Sequence, residues 1–235
     1  MLFRQATPAN EALGLVWEGA ERLLRQELSD YGITGVERVN LAAPTALASA
    51  YSDAARALGL HRVALFQRRG PEPFSLRVAL LSPPAIIASG EVLEQKAALD
   101  FAVGSALAAA MPAHALLFGM PEVKARELLD GLLLAFGPPR RAPEGAAAVA
   151  AVAEMLWQAI PARDQRRLRQ LCEDPERMSY EDALRSARRT ARLASSPSAD
   201  LSGRGIPSAP KRRPRTAPCS FRPFRRLSNS RVKQK

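Results

Sequence analysis

Metal, nucleophilic and acid–base chemistry all start from His, Cys, Ser and closely spaced carboxylates, and this sequence holds few of them in a working arrangement. A bound metal needs three or four donors, commonly paired at short spacings such as C-x2-C or H-x3-H. The two histidines, His61 and His114, lie 53 positions apart, and no Cys, Asp or Glu cluster completes either one. His61 falls at a helix-to-strand corner and His114 in a loop after a helix, so both read as ordinary surface histidines. Ser105 sits in an apolar helical stretch without the G-x-S-x-G turn that exposes a hydrolase nucleophile. Cys172 has Arg169 nearby, which would favour a thiolate. Glu173 and Asp174 oppose it, so it reads as a small, part-buried apolar residue. Glu91 and Glu94 share a face at i, i+3, with Asp100 beyond. They read as first-turn acids favoured by the helix dipole rather than as an acid–base pair. Gly14, Gly19, Gly32 and Gly35 form neither G-x-G-x-x-G nor a Walker loop.

The remaining functional hint is charge. The 235 residues are 47% hydrophobic and carry a formal charge of +11, enough apolar content for a true core. Residues 191–235 hold twelve Lys/Arg against the single acid Asp200, so the whole excess lies there and the rest of the chain is neutral. Within that segment Lys211, Arg212, Arg213, Arg215, Arg222, Arg225 and Arg226 interleave with Phe221 and Phe224. This pattern could bind nucleic acid by counterion release and stacking. The same Ser/Pro/Arg composition also fits a solvated tail with unspecific anion affinity, or a GC-rich coding sequence read in a shifted frame. Residues 192–235 are expected to be a disordered basic tail. Two cysteines give no disulfide framework, and the first 24 residues lack an export signal, so a cytoplasmic location is expected. Phe101–Phe118 is free of formal charge and near spanning length. Its alanines, Gly104, Pro112 and His114 favour a buried soluble helix, and no membrane span is expected.

The elements that would position these residues follow from periodicity. Leu13, Val16, Trp17, Ala20, Leu23, Leu24 and Leu28 form the stripe of a helix starting at an Asn10 cap and closed by Tyr31-Gly32. Thr45–Leu58 is a second helix, stopped by Gly59. Val63–Gln67 and Ser75–Leu81 are strands around the turn RRGPEPF, with Ala85–Ala88 as a third. Glu91–Met111 is one Ala-rich core helix. Pro121–Phe136, Glu144–Ile160, Ala162–Cys172 and Tyr180–Thr190 are further helices, with a break at Gly137–Pro143. No repeat of 20–50 residues is present.

The stretch Leu99–Pro112 (LDFAVGSALAAAMP) resembles the F-x-x-G-R-A-L-A-x-x-x-P helix of uncharacterised bacterial domains, often C-terminal to tetratricopeptide repeats. Leu58-Gly59-Leu60, Ser82-Pro83-Pro84-Ala85, Glu127-Leu128-Leu129 and Phe136-Gly137-Pro138 continue the resemblance in order over residues 45–190. Such a domain is similar in turn to the core of HExxH zinc metallopeptidases, whose corresponding helix carries two His and a Glu. This resemblance implies that Ser105 and Ala106 stand at His-Glu and Ala109 at the second His, so zinc chemistry is lost. It also implies an apolar continuation after the Arg-rich helix, from which Leu193 and the following serines depart.

The resulting expectation is an α+β, mostly helical fold: a small antiparallel strand ribbon packed on a buried Ala-rich helix. Residues 1–42 would form an N-terminal helix and extended segment, 43–191 the metallopeptidase-like domain and 192–235 the tail. The function expected is that of a catalytically silent module, or fragment of a larger repeat protein, making protein contacts without a cofactor. Trp17 and Trp157 read first as core residues and second as contacts. The alternatives are a nucleic-acid-associated protein using its tail, and a hydrolase with an unrecognised site.

Overall fold

A Thr-Pro pair starts the first helix, because a Thr side chain can accept from a free backbone N–H while Pro has no N–H to leave unpaired. In the computed structural model, which describes residues 7–34, 37–139 and 147–195, Thr7 Oγ1 accepts from the Asn10 amide at 3.2 Å and α1 runs Pro8–Leu24. Asn10 is therefore not the cap expected of it. It lies inside the first turn with its side chain fully buried. A 3-10 turn, Leu28–Tyr31, follows and ends on Gly32 at φ 65°. The second helix, α2 (Ala46–Leu58), keeps its expected Thr45 cap and Gly59 stop.

Strands β1 (Ala64–Arg68), β2 (Ser75–Ala79) and β3 (Ala85–Ser89) form one sheet in the order β1-β3-β2. The expected antiparallel ribbon is in fact mixed: β3 runs parallel to β1 and antiparallel to β2. The reason lies in burial. All five residues of β3 are buried, the signature of a central strand, whereas β2 is exposed at its start. The turn Arg69–Phe74 therefore has to arch past the end of β3. The outer edge of β1 is covered by Arg38 and Val39, the latter donating its N–H to Leu65 O at 2.9 Å. Ile33, Phe66, Ala79, Ala85 and Ile87 make a small cluster of their own. Tyr31 Oη accepts there from the Leu80 amide at 2.8 Å.

The Ala-rich segment divides where the sequence suggests one helix. The chain from Glu91 to Gln95 is not helical, and α3 runs only Lys96–Ala109. Glu91 and Glu94 therefore precede the helix and are not first-turn acids. Pro112 does more than end a helix: it starts α4 (Pro112–Gly119), bent by 102° from α3. No single described helix is long and apolar enough to cross a membrane. Then come α5 (Glu122–Phe136), α6 (Ala147–Ala159), α7 (Ala162–Leu171), a 3-10 turn at Pro175–Arg177, and α8 (Tyr180–Ala194). Helix α8 continues four residues past Thr190, because Ala187 and Ala191 keep its apolar face buried. The fold is α+β and mostly helical.

Leu13, Val16 and Trp17 of α1, Leu107 of α3, Leu116 of α4 and Leu132 of α5 share one core. Gly14 lets α1 approach the α4 backbone, since a Cβ there would lie 3.3 Å from Ala113 Cα. Tyr51, 1% exposed, joins α2 to the sheet by donating to Val63 O at 2.6 Å, and burial pushes its phenol well above the ordinary value. Tyr51→Phe leaves that carbonyl without its donor and is expected to cost about 1.5 kcal/mol. Urea unfolding would read this as a lower midpoint with unchanged slope; an unchanged midpoint would contradict it.

Candidate functional site

The positions that the resemblance equates with a zinc motif lie on the central helix. Small residues there serve close packing. Ala106 and Ala109 are 3% and 1% exposed. Ser105 donates to Ser195 Oγ at 2.7 Å, since that hydroxyl gives its own proton to Ala191 O at 2.6 Å. A Cβ on Gly104 would come within 3.3 Å of Ser195 Cα. The end of α8 thus lies directly on this side of α3, and imidazoles at 105 and 109 would meet packed protein. Among the described residues no group of three or more His, Cys, Asp and Glu converges as a metal site would.

The two histidines have different surroundings. His61 is exposed. His114, expected in a surface loop, is instead buried in α4, at 5% exposure. Its Nδ1 lies 2.9 Å from Ala108 O at the end of α3, so the neutral ring donates there. Desolvation is the larger influence and lowers its pKa below the ordinary 6.5; the carbonyl bond opposes it. Because the folded value is depressed, the unfolded chain binds the proton more readily. Stability from this site is complete above about pH 6.5 and is lost as pH falls toward the lower folded value. Denaturant midpoints of the wild type should drop between pH 7.5 and 5.5 by more than those of His114→Gln. Equal drops would contradict this.

Cys172, read as part-buried, is fully buried among apolar residues of the core. Trp17 is a core residue at 3% exposure, but Trp157 is not: it is 47% exposed on α6, stacked on Phe136 with centroids 5.8 Å apart. The Arg169 guanidinium lies over its ring at 5.2 Å. Around it α6 is apolar yet turned outward. Ala147, Ala148, Ala150 and Ala151 are exposed, and only Val149, Ala153 and Leu156 of the helix are buried.

An open groove of about 490 Å³ was not foreseen from the sequence. It lies where the parallel strands β1 and β3 end against the start of α2, and is lined by Thr45, Leu47, Gln67, Arg69, Gly90 and Glu91 among others. Carboxyl ends of parallel strands are recurrent ligand sites. Here Arg69 and Glu91 bring both signs of charge, so the groove selects neither anion nor cation. Only the parallel pairing of β1 with β3 assembles it, and local patterning does not reveal that pairing. Lys211, Arg212, Arg213, Arg215, Arg222, Arg225 and Arg226 lie outside the described residues, as does the expected disorder of the tail beyond Ser195. The chain matches no known family model, no curated protein and no solved structure.

Proposed function

We propose that this domain is a catalytically silent module, built on a metallopeptidase-like order of elements, that acts by protein contact. The observation that carries the reading is the outward apolar face of α6. Ten of its thirteen residues are not buried, yet the helix contains only one charged side chain, Glu154. A solvated helix face is ordinarily polar. Trp157 adds a rigid aromatic anchor, oriented by Phe136 and Arg169, and aromatic and Arg residues are enriched among interface anchors. The exposed alanines allow a partner helix close approach. Packing of α8 over Ser105 supports the non-catalytic half of the reading.

A photo-crosslinking residue placed at Ala151, with a control at the exposed Glu18 of α1, tests it in the cells that make the protein. A discrete adduct from position 151, abolished by Trp157→Ala and absent from position 18, is the expected result. Equal labelling from both positions would refute it, as would stoichiometric zinc together with peptide hydrolysis by the purified chain.

A further inference from the structure

We infer that the outer face of α8 is a docking surface for the phosphate backbone of nucleic acid. Arg185, Arg188, Arg189 and Arg192 are all exposed and follow the spacing i, i+3, i+4, i+7, so they form one stripe along the helix. At 1.5 Å rise per residue the stripe is about 10 Å long, the length of about three nucleotide steps along one duplex strand. The helix dipole accounts for cations in the last turn only, and Arg185 and Arg188 lie before it. Arg185 is also held by Asp182 at 3.2 Å, which orients the N-terminal end of the stripe. No acid interrupts the helix after Asp182, and from residue 185 to 235 the chain holds fifteen Lys/Arg and one acid.

Nucleic acid is favoured over an anionic membrane because α8 has already spent its apolar face. Ala183, Ala187 and Ala191 are buried in the domain, leaving Leu193, 62% exposed, as the one large apolar side chain outward. A helix that binds in a bilayer interface needs that face for the acyl region. Guanidinium groups, by contrast, match phosphate with paired donors and need no apolar partner.

Fluorescence anisotropy of the full chain with a labelled duplex, and with one of its single strands, tests the assignment across a salt series. Arg188→Gln/Arg189→Gln should weaken binding about tenfold near 0.1 M salt and flatten the log–log salt slope by about 1.8. A double variant on α7, Arg163→Gln/Arg166→Gln, removes the same charge elsewhere and should stay within about twofold of wild type. Equal losses from the two double variants would overturn the inference. So would absence of binding to either oligonucleotide, or tighter binding to phosphatidylserine-containing vesicles than to the duplex.

Discussion

Gly90→Ala is expected to destabilise the domain by more than about 3 kcal/mol, since among the described glycines an added Cβ makes its tightest backbone contact here. Two independent causes add. Gly90 has φ 85°, in the region that side chains rarely adopt. A Cβ there would also collide with Glu72 O and stand 2.7 Å from Pro73 O, both backbone atoms of the turn that arches past β3. Neither atom can swing aside as a side chain would, because the turn is tied at both ends. The Gly90 amide donates to Arg68 O at 3.1 Å and the Glu91 amide to Glu72 O at 3.2 Å. Relief would separate β3 from that turn and distort the groove that Gly90 lines. Thermal or urea unfolding reads the loss directly. The control is Gly59→Ala, where φ is 70° but no atom lies within 4 Å of the added carbon. Near-equal losses at the two positions would show that conformation alone, without the collision, sets the cost.

Asn10→Leu is expected to stabilise the protein, by about 2 kcal/mol, although it removes a polar residue from a helix start. Asn10 is 0% exposed, and among the described residues neither Nδ2 nor Oδ1 has a hydrogen-bond partner. Its backbone N–H already serves the Thr7 cap and is kept in the variant. Leucine has nearly the same branching at Cγ and ends the desolvation penalty while filling the site. Asn10→Ala ends the penalty too but leaves a void, so it should gain less than Asn10→Leu. Urea midpoints of the three proteins should rise in the order Asn, Ala, Leu. A midpoint for Asn10→Leu below wild type would mean that the amide is satisfied and that this site is not a reserve of instability.

How much could be read in advance depended on the range of the interaction. Helices α2 and α5 lie within a residue of their expected limits because Thr45, Gly59, Pro121 and Gly137 act on their own neighbours. The run AIIA was legible as a strand, which the structure extends by Ser89. Its place in the middle of the sheet was not, since parallel pairing of β1 with β3 joins residues twenty-one apart that share no turn. His114 and Trp157 show the same division. Periodicity assigns a side chain to a face, but what covers that face is decided by other elements, so His114 is enclosed where a loop was expected and Trp157 is open where a core was expected. The positions Ser105, Ala106 and Ala109, which the resemblance equates with a zinc motif, can be named from the helix alone. That Ser105 meets Ser195 requires α8 to return across ninety residues.

The sequence by itself determined the mostly helical α+β class, the limits of α2 and α5, and the location of the whole excess charge in the last 45 residues. Each follows from interactions a few positions apart or from composition. Only the tertiary structure decided the mixed strand order, the groove at the strand ends, the burial of Asn10 without a side-chain partner among the described residues, the outward apolar face of α6 and the contact of α8 on α3. These depend on which surfaces meet, and the choice among many nearly equivalent apolar contacts is made by the packing of the whole domain.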